Sequence, residues 1–100
     1  MREFIRGAVR LHVLYHASEG GVHGAWLADE LAQHGYRISP GTLYPTLHRM
    51  EAEGLLRSAR QLADGRTRRV YRITPTGKRA LRDAKKLLAE LADEVLGPRP

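Results

Sequence analysis

Gly35-Tyr36-Arg37-Ile38-Ser39-Pro40-Gly41-Thr42-Leu43-Tyr44-Pro45-Thr46-Leu47-His48-Arg49-Met50-Glu51-Ala52-Glu53-Gly54-Leu55-Leu56 is the stretch on which the fold turns. Ser39 is suited to cap a helix and Pro40 to open it, because the missing proline N–H falls where no helical partner exists. Leu43, Leu47 and Met50 then recur at helical spacing and form one apolar stripe. Thr42, Tyr44, Thr46, His48 and Arg49 are left on the other side, with no acid before Glu51. A short helix with a buried stripe and a polar, basic outer face is what reading of the DNA major groove requires. Pro45 is awkward in this helix. A start near Gly41 or Thr42 would put it in the first turn, where its cost largely vanishes.

Working outward, Gly54 ends the helix and Leu55-Leu56 begins an extended run. Asp64-Gly65 separates that run, 55–62, from a second, 67–74. An Asp-Gly pair between two strands signals a tight hairpin turn with positive φ. In the second strand Tyr71 and Ile73 share the face assigned inward, and Arg68, Val70 and Arg72 the other. Upstream, residues 2–17 read as a helix apolar on most sides, which demands cover on most sides. Residues 18–22 read as a loop. Residues 23–34 read as a helix with Trp26, Leu27, Leu31 and Ala32 inward and Asp29, Glu30 and Gln33 outward, closed by Gly35. Thr74-Pro75 opens a last helix that Gly97-Pro98 ends. Its Leu81, Ala84, Leu88, Leu91 and Val95 step by 3, 4, 3 and 4, a heptad seam too short to stand alone and adequate against a second copy.

The run 35–56 together with Val70-Tyr71-Arg72-Ile73-Thr74-Pro75-Thr76-Gly77 resembles the PadR family of transcriptional regulators, over about residues 8–96. The resemblance implies a mainly α fold with a small β-hairpin: a winged helix-turn-helix DNA-binding domain over residues 1–76 and a C-terminal dimerisation helix over 77–97. It also implies a sequence-specific, homodimeric repressor on a pseudo-palindromic double-stranded DNA operator, released by a small organic compound or, on the reading of this chain's own histidines, by a metal ion. In some members a tryptophan on the last helix lines a drug-binding cavity. Here the single tryptophan is Trp26, so any such pocket would be aliphatic.

One hundred residues with a 42% apolar share make one domain with a modest core. Cysteine is absent, which excludes disulfides and thiolate metal sites. No apolar run has the length of a membrane span, and arginines interrupt the N-terminal apolar run, so neither membrane span nor signal peptide is expected and a cytoplasmic protein follows. Of the net charge of +6, the segment 57–79 carries +7, with eight basic residues against Asp64 alone. Such a patch beside a candidate recognition helix is an electrostatic footprint for phosphate.

The DNA-contact candidates are therefore Ser39, Thr42, Tyr44, Thr46, His48 and Arg49 on the reading helix, and Arg66, Arg68 and Arg69 on the wing. Tyr44 and Thr46 suit either phosphate or base edge. Dimer contacts are assigned to Phe4, Leu11, Leu81, Leu88, Leu91 and Val95. Tyr36 and Tyr71 are read as packing residues of the turn and wing. His12 and His16, spaced i, i+4, share a helix face, and His23 follows the glycine loop, so the three are candidate ligands for a nitrogen and oxygen metal site suited to zinc or cadmium. His34 and Glu30 form another i, i+4 pair. No cofactor is otherwise required. Nothing supports an enzyme: there is no cysteine nucleophile, glycine-rich phosphate loop or His-Glu-x-x-His. The competing class is a basic dimeric protein-interaction module without specific DNA readout.

Overall fold

The computed structural model describes residues 1–97. Four helices and three strands follow in the order α1 (Arg2–Glu19), β1 (Val22–His23), α2 (Gly24–Gln33), α3 (Pro40–Ala52), β2 (Leu56–Ala63), β3 (Arg66–Ile73) and α4 (Pro75–Leu96). The sheet is antiparallel in the order β1-β3-β2.

Helix α3 forms as its stripe dictates. Leu43, Leu47 and Met50 are fully buried against Leu27 and Leu31 of α2, Val13 of α1 and Tyr71 of β3. The two helices of the helix-turn-helix end alike. Tyr36 donates its amide to the Leu31 carbonyl and Gly35 to that of Ala32, while Leu55 donates to Met50 and Gly54 to Glu51. Each is the paired bond of a Schellman cap, and each needs a left-handed residue, supplied by Gly35 (φ 91°) and Gly54 (φ 80°). The helix starts at Pro40, so Pro45 lies in the second turn and not the first. The ordinary partner of the Gly41 carbonyl would be the amide that Pro45 lacks. The buried stripe carries the helix through that gap.

The hairpin closes on Asp64 (φ 51°) and Gly65 (φ 74°), both in the left-handed region, with Ala63 paired to Arg66. This is the primed turn whose twist matches the flanking strands. The expected two-stranded wing gains a third strand: Val22 and His23 pair with Tyr71 and Val70. Two residues carry no periodicity from which to read a strand. Their presence also moves Val70. It faces away from Tyr71 as expected, yet it is buried, because the chain at Gly21 closes over it, and a Cβ on Gly21 would stand 2.6 Å from its methyl group.

In α2 the inward stripe is Gly24, Leu27 and Leu31. Trp26 is 41% exposed and lies edge-on to His16, Ala32 is exposed, and Glu30 is half-buried, so three expectations for this helix are reversed. Trp26 stands one residue, about 100°, off the buried stripe, which ten residues cannot widen.

Thr74 caps α4 through its hydroxyl, which accepts the Gly77 amide at 2.9 Å. Leu81 is 6% exposed in the core of its own chain, and Leu11 packs on the same core. Both also line the groove that α1 and α4 leave between them. Phe4, Leu87, Leu88, Leu91, Val95 and Leu96 remain exposed, and the first four line the same groove, of about 650 Å³. Gly97 (φ 83°) follows the helix, and Pro98 lies outside the described residues.

The first turn of α4 is seated by close approach. A Cβ on Gly77 would collide with the Leu55 carbonyl and the Ile73 side chain. Gly77→Ala is expected to lower unfolding free energy by about 1–3 kcal/mol in urea melts, as overpacking against backbone does. An unchanged midpoint would mean that the α4 seat is soft.

Candidate nucleic-acid interface

The polar residues of α3 do not make one uniform face. Counting about 100° per residue from the buried stripe, Pro45, His48 and Arg49 form the crest. Thr42 and Thr46 lie on one flank and Tyr44 on the other, shared with Glu51. Ser39 occupies the cap position, but its hydroxyl lies 3.4 Å from that of Thr42 and bonds no amide. Thr46 donates its hydroxyl to the Thr42 carbonyl at 2.8 Å, which leaves oxygen lone pairs and not the proton outward. His48 and Arg49 are exposed.

Tyr44 is 41% exposed, yet its position is fixed. The ring lies over Gly24, the first residue of α2, where any Cβ would overlap it. Only glycine admits the ring there. The phenol is thus presented at the junction of α2 and α3 and not at the crest.

Strand alternation divides the wing arginines. Arg66, Arg68 and Arg72 take the face away from Tyr71. Arg69 takes the Tyr71 face and donates to the Ser58 hydroxyl at 3.0 Å. Ser58 in turn donates its amide and hydroxyl to Glu51 at 2.8–3.0 Å. Glu51, the first acid after the reading face, is thereby turned inward and occupied. Burial, then the neighbouring Glu51 carboxylate, raises the Tyr71 pKa, keeping the phenol neutral beneath this network. Arg68 is half-buried, and its Nη1 lies 2.9 Å from His23 Nε2 on β1. Arg68 and Arg69, adjacent in sequence, therefore have separate jobs. Arg10 pairs with Glu53 and ties α1 to the end of α3.

The histidines assemble differently from expectation. His12, His16 and His34 bring ligand atoms within 4.8 Å of one another. His23 is outside this group, because β1 carries it to the wing; it belongs with Arg68 and the α2 cap. Glu30 completes the cluster, with Oε1 3.3 Å from His34 Nε2 and 3.7 Å from His16 Nε2. His16 Nε2 is buried and has no hydrogen-bond partner among the described residues. His12 stacks between these rings, 4.9 Å from His34, with Tyr36 edge-on at 5.2 Å. The Glu30/His34 spacing was visible in the sequence; its approach to α1 depends on the turn of α2 and was not.

The chain matches the model of the transcriptional regulator PadR-like family over residues 13–83. It belongs to the PadR family. It is 65% identical to a transcriptional regulator of Mycobacterium tuberculosis, over 97% of this chain and 91% of that protein. The structure is similar to a PadR family regulator of Eggerthella lenta (TM-score 0.80, 36% identity, covering 93% of this chain and 82% of that one). It is also similar to a PadR-like regulator of Bacillus cereus (TM-score 0.81, 27% identity, covering 97% and 99%). PadR proteins are DNA-binding regulators and not enzymes, and this PadR protein is a transcriptional regulator with their winged-helix fold. No helix among the described residues is long and apolar enough to cross a membrane.

The histidine cluster makes stability depend on pH. Burial, then the charges of His34 and His16, lowers the His12 pKa from 6.5, with Glu30 opposing. The unfolded chain then binds the proton more readily, so stability is present above pH 6.5 and falls as pH drops below it. In chelator-treated protein, the melting temperature should decline on acidification through that window, and His12→Gln should flatten the decline. Equal slopes in parent and variant would remove His12 as the cause.

Proposed function

We propose that this PadR protein is a homodimeric, sequence-specific repressor whose α3 crest enters the major groove while the arginine wing lies along the adjacent backbone. The observation that carries this reading is the pairing of an exposed, basic crest at His48 and Arg49 with a wing whose arginines form no ion pair with a carboxylate among the described residues. Glu51, the first acid after the α3 crest, is engaged by Ser58. Thr42 and Thr46 suit base edges or phosphate from one flank, Tyr44 suits phosphate from the other, and Ser39 lies at the helix start, where amides favour an anion. The exposed apolar face of Phe4, Leu88, Leu91 and Val95 is suited to a second copy. Two copies would read a pseudo-palindromic operator in a cytoplasmic setting.

Footprinting on the DNA upstream of the protein's own gene, across several salt concentrations, tests this reading. A protected dyad-symmetric site is expected. The log–log salt slope should shrink by about 0.9 for each phosphate contact removed by Arg66→Ala or Arg68→Ala. Weak, sequence-blind protection would favour the protein-interaction module instead.

We further propose that the histidine cluster is the effector site. An orphaned, buried imidazole nitrogen facing a carboxylate and two further imidazoles is a donor set that fits a zinc-like ion, zinc or cadmium among them. His12 and His16 of α1 with Glu30 of α2 and His34 at its C-terminal end would hold it, and the ion would draw the two helices together. Small organic compounds in the α1/α4 groove are the second option; that groove is not purely aliphatic, because Phe4, Tyr15 and Tyr36 from the α1 side stand opposite the leucines of α4. Equilibrium dialysis of the metal-free protein against zinc should show retention by the parent and by His23→Ala, and loss in His16→Ala and His34→Ala. No retention by the parent would end the metal reading.

A further inference from the structure

His23 presents one acceptor to two donors. Its Nδ1 faces the Trp26 amide at 3.3 Å in the cap position of α2, and its Nε2 faces Arg68 Nη1 at 2.9 Å. A neutral imidazole carries a proton on one nitrogen and a lone pair on the other. The two bonds therefore cannot be made together. The shorter contact is to the charged donor, and charge-assisted hydrogen bonds are the stronger ones. The proton then sits on Nδ1, and the cap of α2 is forgone. A histidine in this position is thus a poorer cap than an asparagine would be, and what it gains in return is a hold on Arg68.

We propose that His23 is the positioning residue of the wing, holding the Arg68 guanidinium ready for a duplex phosphate. Three features support this role over simple sequestration. The partner is an uncharged ring, so the positive charge of Arg68 is oriented without being cancelled. The guanidinium has five N–H donors, and the contact occupies one. Arg68 is half-buried, so the side chain is confined on its neighbours without being closed off from solvent. Arg69 is the counter-example on the same strand: its head is attached to a serine that holds a carboxylate.

The inference rests on the duplex reading of the wing, and one series of variants separates the two. His23→Asn keeps a cap side chain, since asparagine is among the best caps, but is too short to reach Arg68. His23→Gln restores an acceptor at longer reach. Binding to a mixed-sequence duplex would be measured by fluorescence anisotropy across a salt series, alongside thermal melts. His23→Asn should bind about three- to tenfold more weakly, the scale of one hydrogen bond, with a shallower salt slope and a melting temperature equal to or above that of the parent. His23→Gln should recover most of the affinity. In an Arg68→Ala background neither change at His23 should matter. Unchanged or tighter binding by His23→Asn, or the same loss with and without Arg68, would overturn the positioning role while leaving the duplex reading intact. No duplex binding by the parent would overturn both.

Discussion

Burial of Leu43, Leu47 and Met50 is the constraint from which the rest of the molecule follows. It fixes the rotation of α3 about its axis, and that rotation decides which residues face out. Turning the helix by one residue would bury Tyr44 or His48 and expose a leucine, at roughly 1.5–3 kcal/mol for each leucine returned to water. The crest at Pro45, His48 and Arg49 is therefore set by the core. The same burial carries α3 across the amide missing at Pro45. The proline ring lies on the crest and adds no hydrogen-bonding group beside His48 and Arg49.

Much of this was legible in the sequence because the signals were local. The stripe of α3, the Asp64-Gly65 turn, the Thr74-Pro75 cap and the glycine at each helix end depend on residues within a few positions of one another. The failures share a different origin. Strand β1 is two residues long and exists because β3 offers it an edge. Trp26 was placed inward by its hydrophobicity, whereas its rotation from Leu27 puts it beside His16. His23 was grouped with His12 and His16 by proximity in sequence, whereas β1 takes it to Arg68 and the turn of α2 brings His34 in its place. Arg68 and Arg69 were treated as one patch, and pleating sends them to opposite faces. In each case a long-range pairing, invisible to a window of residues, decided the role.

The histidine cluster meets both the α3 crest helix and the arginine wing through α2. Its C-terminal half contributes Glu30, and His34 follows at its end, while its first residue supports Tyr44 and its cap residue holds Arg68. A rigid ten-residue helix thus joins two chemically distinct ends. Coupling between distant sites needs an element that both ends can bias. A body pulled at one end and seated on a tyrosine and an arginine at the other meets the structural part of that requirement.

The length of α4 has a mechanical consequence. It runs for 22 residues, and Leu81, near its start, is its last large side chain held in the core. Beyond that point roughly 22 Å of helix extends with its apolar flank uncovered. Such a rod acts as a lever with its fulcrum at the Leu81 seat. A tilt of about 10° there displaces the far end by ~4 Å, more than the ~3.4 Å by which successive phosphates of a strand advance along the duplex axis. Small repacking beside α1, where the groove meets the fulcrum, is therefore amplified into a displacement on the scale of one step along the duplex.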